Sequence, residues 1–206
     1  MNPVNIQIHR AVSVLKNGGI IVYPTETVYG IGCDPLNGNA VDRTMNLKQR
    51  ESSKAMLLLA ESLEMVESMA GTLDTLARSF AEHFWPGPLT MIIKPSKPFL
   101  GYLQGITGGV AFRVTSHRLA SAIIHEFGRP IISTSANVSG QQPVVTYKSA
   151  YREFGMKADL IVKNSEPLSG EPSTIIDITS GRVEIVRTGG IGLMELQEIS
   201  GNVPAQ

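Results

Sequence analysis

The sequence predicts an α/β (α+β) fold in which one mixed sheet carries helices on its faces. Apolar runs typical of buried strands alternate along the chain with segments whose apolar residues recur at helical spacing. The late strand segments follow one another closely enough to pair antiparallel, so the sheet should be mixed. Because no repeat, linker or low-complexity tract interrupts this alternation, we expect residues 1–206 to form a single domain.

The composition is that of a globular protein, with 42% hydrophobic and 17% charged residues. Lysine plus arginine and aspartate plus glutamate each number 18, so no excess charge favours a nucleic-acid or membrane partner. Cys33 is the only cysteine, which excludes an internal disulfide and a cysteine-rich zinc site. No export signal and no apolar run of membrane-spanning length is present. We therefore expect a cytoplasmic protein.

In the first half of the chain, apolar periodicity predicts four helices and three strands. The helices lie at residues 8–15, from 40 to an end near 48–50, at 63–69 and at 73–84, and the strands at residues 20–23, 56–60 and 89–94. Proline ends several of these elements, since it lacks a backbone donor and disfavours a helical residue before it. The stretch from Pro24 to Gly32 is predicted to be a polar, glycine-containing loop.

The second half begins with an irregular, glycine-rich connection over residues 98–109. Strands are then predicted at residues 110–114, 130–132, 160–162, 174–178 and 183–187, and helices at residues 117–127, 147–154 and 193–199. A dense polar run from Ser133 to Gly140 follows the strand at 130–132 and is predicted to be a loop.

Polar and cationic side chains recur at the ends of the predicted elements. Thr25 and Thr27 follow the first strand, at the position that lines ligand crevices in open α/β sheets. Groups of the same kind stand at the other ends: Lys48, Arg50, Arg113, Ser133 to Asn137, Ser173 and Arg187. A polar turn, a helix-end cation or a polar loop would explain any one of them alone. Their repetition favours a pocket for phosphate and carboxylate ligands.

Familiar catalytic motifs are absent from the sequence. It contains no phosphate-binding P-loop, no dinucleotide-binding glycine motif, no histidine spacing typical of zinc sites and no nucleophile elbow. Cys33 is either a nucleophile or a buried structural thiol. The second interpretation is favoured, because no basic residue or histidine adjoins it in the sequence.

The chain resembles the YrdC/Sua5 family in an ordered set of motifs that covers nearly its whole length. These are Pro24 to Gly32, Lys48-Gln49-Arg50, Trp85 to Thr90, Ala111-Phe112-Arg113, Ser133 to Asn137, Ser173 to Ile176 and Arg187-Thr188-Gly189. The resemblance implies a YrdC-like twisted mixed sheet with flanking helices around a large, positively charged cavity. It also implies the short, single-domain type, without the additional C-terminal domain of Sua5-type members.

The resemblance implies a threonylcarbamoyl-AMP synthase. Such an enzyme condenses L-threonine, bicarbonate and ATP, with Mg²⁺ on the phosphates, to threonylcarbamoyl-AMP and pyrophosphate. Separate proteins then pass the threonylcarbamoyl group to tRNA to form N6-threonylcarbamoyladenosine. A further implied partner is tRNA or double-stranded RNA.

The family's binding positions carry over to individual residues of this sequence. Those matching the threonine-binding side are Thr27, Arg113, Ser133 and Ser173. Those matching the ATP-binding side are Lys48, Arg50, Lys54, Ser135, Asn137 and Arg187. No nucleophile or general base is assigned, and no side chain is assigned to a metal. Glu26 lies inside the first motif as either a base or a structural acceptor, the second being favoured.

Two positions depart from the family pattern. Glu51 follows the Lys-x-Arg motif where proline is common, and Leu59 stands where some long members carry a threonine-contacting histidine. Two alternatives to the synthase therefore stay open. One is a paralogue that keeps the pocket without threonine-specific synthase activity, and the other is a module that binds tRNA or double-stranded RNA. Zero net charge and 6% aromatic residues disfavour a dedicated RNA reader.

Overall fold

A computed structural model describes residues 2–48, 56–137 and 141–200. Two residues predicted to bind ATP, Arg50 and Lys54, lie outside the described residues, as does Glu51. No helix within the described ranges is both long enough and apolar enough to cross a membrane. The interpretation of residues 1–206 as a single domain stays a prediction.

Seven α-helices and nine strands are formed by the described residues. The helices are α1 (Pro3–Lys16), α2 (Gly38–Lys48), α3 (Leu63–Ala70), α4 (Thr75–Phe84), α5 (Arg118–Phe127), α6 (Tyr147–Phe154) and α7 (Leu193–Ser200). The strands are β1 (Ile21–Pro24), β2 (Tyr29–Cys33), β3 (Leu57–Ala60), β4 (Leu89–Ile93), β5 (Val110–Val114), β6 (Ile131–Ser135), β7 (Leu160–Ile161), β8 (Thr174–Asp177) and β9 (Glu184–Arg187).

The nine described strands join into one sheet in the order β7-β1-β2-β6-β3-β5-β4-β8-β9. The pairs β1–β7, β3–β5 and β4–β8 are parallel, and the remaining pairs are antiparallel. The predicted mixed sheet is therefore confirmed, including the antiparallel pairing of the late strands β8 and β9.

Apolar side chains alternate between the two faces of the sheet and form a core on each. On β3, for example, Leu58 and Ala60 pack into the larger core with α2, α3, α4 and α6, whereas Leu59 points into the smaller core. The smaller core is closed by α1 and α5, which pack against each other and against β1. This second face also carries most of the polar residues described below.

Two segments predicted to be loops are strands. Residues 29–33 form β2, and β6 extends through Ser133 and Thr134 to Ser135. Polar and glycine residues weaken a strand prediction, but here each pairs on both sides: β2 lies between β1 and β6, and β6 between β2 and β3. Tertiary pairing overrides the local preference of these sequences.

Candidate functional site

Arg113 is the central cation of the candidate site. It stands on β5, and its side chain points to the face of the sheet opposite that of its neighbour Phe112, which packs in the larger core. Only 4% of Arg113 is exposed. Its Nη1 donates to Thr27 Oγ1 at 3.4 Å. Its Nε lies 3.3 Å from Glu26 Oε1, but neither of these two buried atoms makes a hydrogen bond. The guanidinium is therefore paired in charge and incompletely satisfied in hydrogen bonding.

The loop between β1 and β2 is fixed by its own hydroxyl groups. Thr25 Oγ1 donates to the carbonyl of Val28 at 2.7 Å and lies 2.9 Å from Thr27 Oγ1. From outside the loop, the Gly170 N–H and the Ser169 hydroxyl donate to the carbonyl of Thr27, at 2.9 and 3.3 Å. Thr27 is thereby held against Arg113.

Glu26 is held from its other side by Thr115. The Thr115 hydroxyl donates to Glu26 Oε2 at 2.5 Å and accepts the N–H of His117 at 3.1 Å. Burial lowers the pKa of His117 below its usual value, and the nearby Glu26 carboxylate offsets part of that effect. These contacts favour the structural-acceptor interpretation of Glu26.

Ser133 receives a hydrogen bond from a buried tyrosine. The Tyr23 hydroxyl, on β1, donates to Ser133 Oγ on β6 at 2.7 Å. Burial raises the pKa of Tyr23 well above its usual range, although Ser133 and Arg113 act in the opposite sense. The phenol therefore stays protonated.

Lys48, Ser135 and Asn137 form a second group, where α2 meets the end of β6. Lys48 Nζ donates to the Ser135 carbonyl at 2.7 Å, to Ser135 Oγ at 3.2 Å and to Asn137 Oδ1 at 2.6 Å. Asn137 Nδ2 in turn donates to the carbonyl of Gln141 at 2.7 Å. Lys48 and Ser133 also line a cavity of about 10 Å³.

Ser173 and Arg187 form a third group, just before β8 and at the end of β9. Arg187 Nη2 donates to both the carbonyl and the hydroxyl of Ser173, at 2.8 and 3.0 Å, and Ser173 Oγ lies 2.9 Å from Thr90 Oγ1. Burial lowers the pKa of Arg187, and repulsion from Arg113 adds to that effect. The third group is thus close enough to Arg113 for the two guanidinium charges to interact.

Among the described candidate residues, Thr27 contacts Arg113 directly, and the Tyr23–Ser133 pair and Arg187 lie close enough to interact with its charge. Lys48, Ser135 and Asn137 form a group of their own at the end of β6. The group of Ser173 and Arg187 combines the two predicted binding sets, because Ser173 was assigned to threonine and Arg187 to ATP. A cavity of about 410 Å³ lies elsewhere, between the start of α4 and the ends of β4 and β8, and none of these residues lines it. The large, positively charged cavity at the site stays a prediction.

Comparisons with known proteins identify the family. The model of the Sua5, YciO and YrdC proteins, described as "Telomere recombination", matches residues 13–189. The chain belongs to the Sua5/YciO/YrdC family.

Relatives within the family extend over most of the chain. A threonylcarbamoyl-AMP synthase from Methylococcus capsulatus is 38% identical over 85% of this chain and 95% of its own. Sua5 of Pyrococcus abyssi, solved in complex with L-threonine, superposes with a TM-score of 0.88 at 32% identity. That match covers 94% of this chain and 57% of the Sua5 chain, so this sequence spans just over half of that protein. YciO of Escherichia coli superposes with a TM-score of 0.86 at 27% identity and covers 95% of both chains.

Residues outside the assigned set also take part in the site. Tyr23 and Thr90 lie at the edges of family motifs, so the motifs could have drawn attention to them, whereas nothing in the sequence singled out Thr115. Leu59, one of the two departures from the family pattern, is fully buried in the smaller core beside Arg113 on the neighbouring strand. Cys33 is buried too, and burial raises the pKa of its thiol to about 11, which supports a structural thiol.

Proposed function

We propose that this chain is a threonylcarbamoyl-AMP synthase, which makes threonylcarbamoyl-AMP and pyrophosphate from L-threonine, bicarbonate and ATP. The observation that carries the proposal is the cationic face around Arg113. Arg113 and the nearby Arg187 repel each other, and among the described residues Glu26 is the acidic side chain in ion-pair contact with Arg113. Two anionic substrates would relieve this accumulation of positive charge.

The names of the relatives agree with this chemistry. Chains that match most of this one are threonylcarbamoyl-AMP synthases, and the Pyrococcus abyssi Sua5 structure contains L-threonine. In our proposal, threonine binds through Thr27, Arg113, Ser133 and Ser173, with Arg113 gripping its carboxylate. ATP binds through Lys48, Arg50, Lys54, Ser135, Asn137 and Arg187. The Arg187–Ser173 contact would then join the two substrates along one wall.

The reaction we propose needs no covalent intermediate on the enzyme. The amine of threonine and bicarbonate form a carbamate with loss of water. A carbamate oxygen then attacks the α-phosphorus of ATP, and the bond from that phosphorus to the β-phosphate oxygen breaks to release pyrophosphate. Positioning two anions in this way lowers the activation free energy by about 7–11 kcal/mol. The fixed cations also stabilise the charge on the phosphates.

Magnesium fits the proposal as a companion of ATP. Within the part of the chain that the structure describes, no cluster of three histidine, cysteine or acidic side chains could hold a metal. The phosphates would therefore be its main ligands, and the ion would neutralise part of their charge. Downstream, we propose that separate proteins transfer the product's threonylcarbamoyl group to tRNA in the cytoplasm.

Pyrophosphate release tests the proposal directly. Wild-type protein is mixed with ATP, Mg²⁺ and bicarbonate, and release is followed with L-threonine, without an amino acid, and with L-serine. We expect release to depend on L-threonine. Arg113→Lys should weaken threonine binding by about tenfold or more, because an ammonium cannot make the bidentate contact of a guanidinium. The exposed Arg182→Lys is the matched control and should behave as wild type.

One observation favours the paralogue alternative. The superposition on YciO covers 95% of this chain and 95% of the YciO chain. Folded wild-type protein that releases no pyrophosphate with any amino acid would reject the synthase and favour the paralogue. Binding of tRNA or double-stranded RNA that weakens steeply with salt would instead favour the RNA-binding module.

A further inference from the structure

Tyr23 reaches across a neighbouring strand to contact Ser133. It lies on β1, whose neighbour β2 separates it from β6, where Ser133 stands. Adjacent strands lie about 4.8 Å apart, so a side chain on β1 can contact β6 only by passing over β2. The Tyr23 ring does this and remains fully buried, with its hydroxyl 2.7 Å from Ser133 Oγ.

Two glycines on β2 make room for the ring. Gly30 and Gly32 pair in register with Tyr23 and Ser133 respectively, so β2 has no side chains beneath the ring on this face. A Cβ on Gly32 would lie 2.7 Å from Tyr23 Cε1 and 2.9 Å from the carbonyl of Ile132. A Cβ on Gly30 would lie 3.0 Å from Ser133 Oγ. The glycines of the first motif therefore serve the Tyr23–Ser133 contact rather than a turn.

The direction of this hydrogen bond determines what Ser133 can do. Tyr23 donates and Ser133 Oγ accepts, so the proton of the Ser133 hydroxyl remains for another acceptor. Ser133 makes no second side-chain hydrogen bond to any described residue. Ser133 is 5% exposed, and a donor so buried needs an acceptor. Because the phenol stays protonated, Tyr23 remains the donor as the pH changes.

We propose that Tyr23 is a positioning residue that commits the Ser133 hydroxyl to donate its proton to an oxygen of the amino-acid substrate. The inference rests on the proposed function, since it takes Ser133 to be on the threonine side. Tyr23 itself touches no substrate in this arrangement. Its hydrogen bond also strengthens the one that Ser133 donates, because linked hydroxyl groups polarise each other.

Tyr23→Phe tests the proposal, because it removes the hydroxyl and keeps the ring in the smaller core. We expect the KM for L-threonine to rise roughly five- to tenfold, the worth of one hydrogen bond, while the KM for ATP and kcat stay near their wild-type values. A general loosening of the fold would change all three. Tyr29→Phe is the matched control and should leave the KM for threonine unchanged. Tyr29 is equally buried on the next strand, and its hydroxyl makes no hydrogen bond of normal geometry to the described residues.

A double-mutant cycle sharpens the test. In a Ser133→Ala background, Tyr23→Phe should change threonine affinity no further, because its effect is exerted through Ser133. If Tyr23→Phe does not fold, Gly30→Ala gives a second route. Its Cβ would lie 3.0 Å from Ser133 Oγ and 3.4 Å from the Tyr23 ring, so the Ser133 hydroxyl would have to shift by a few tenths of an ångström while the Tyr23 hydroxyl is kept. This variant should raise the KM for threonine alone.

The possible failures differ in what they reject. Suppose that the wild-type protein turns over threonine, but that Tyr23→Phe or Gly30→Ala leaves the KM for threonine unchanged. That result would overturn this inference and leave the proposed function standing. Additive effects in the cycle would also overturn it. Wild-type protein without threonine-dependent pyrophosphate release would reject the proposed function, and this inference with it.

Discussion

At the scale of single residues, the Arg113–Glu26 pair shows how the site can favour a ligand. Removing two charges from water costs several kcal/mol per ion, which their attraction repays only when their hydrogen bonds are well made. Here Nε of Arg113 and Oε1 of Glu26 lie 3.3 Å apart without a hydrogen bond. Thr115 compensates Glu26 on its other oxygen. A substrate carboxylate would supply Arg113 with the acceptors that the protein itself provides only in part.

His117 should make the stability of the fold depend on pH. Its pKa in the folded protein lies below the ordinary histidine value of about 6.5, chiefly because the side chain is partly buried. The unfolded chain therefore binds the proton more readily, and stability should fall as the pH drops below about 6.5. His117→Asn cannot titrate, yet asparagine can still cap α5, as His117 Nδ1 now does for the N–H of Ala120.

Urea unfolding at pH 7.5 and pH 5.5 measures this effect. We expect the free energy of unfolding to fall less between the two pH values in His117→Asn than in wild type. His83→Asn, at an exposed position on α4, controls for the loss of a histidine as such. An equal loss of stability in wild type and His117→Asn would show that His117 does not contribute.

At the scale of elements, the segment after β9 is fastened to the start of β8. Gly190 N–H donates to the carbonyl of Pro172 at 3.0 Å, and Thr174 Oγ1 bonds both the carbonyl and the N–H of Ile191, at 2.8 and 3.0 Å. A Cβ on Gly189 would lie 2.1 Å from the carbonyl oxygen of Pro172 and 2.6 Å from the carbonyl carbon of Ser173. Since both are backbone atoms, they could not give way without moving Ser173.

Gly189→Ala should therefore separate Arg187 from Ser173. We expect a loss of about 1–3 kcal/mol in the free energy of unfolding, and a rise in the KM for ATP, measured by pyrophosphate release. Gly190→Ala is the matched neighbour, because its Cβ would lie 3.5 Å from Pro88, an ordinary contact distance. A Gly189→Ala protein with the stability and KM of the Gly190→Ala protein would contradict this interpretation.

The elements also show how far sequence reasoning reaches. Periodicity predicted most helices and the apolar strands to within a few residues, because burial on one face leaves a regular pattern. It missed the first five residues of α1, which begins at Pro3 and not at residue 8. It missed β2 and the end of β6, where the glycines and hydroxyls face the site and the strands are held by pairing with their neighbours. Family motifs predicted the assigned site residues, but not Thr115, whose contact with Glu26 depends on tertiary packing alone.

At the scale of the whole molecule, the sheet joins distant parts of the chain into one site. The connection from β7 to β8 passes six strands, and its residues Ser169 and Gly170 contact Thr27 on the way. Side chains of β1 and β3 also enter both cores in alternation, so neither core can loosen without affecting the strands that serve the other. This coupling favours the single-domain prediction.

Unfolding of an α5 variant tests that coupling across the sheet. Trp85, the only tryptophan, reports on the larger core, whereas Ile123 on α5 is fully buried in the smaller one. Ile123→Ala should cost about 2–5 kcal/mol of stability. If the chain unfolds as one unit, Trp85 fluorescence and far-ultraviolet circular dichroism should shift to the same lower urea midpoint. A circular-dichroism transition that shifts alone, with the fluorescence midpoint at its wild-type value, would mean that the two cores unfold separately and that the chain is not one cooperative domain.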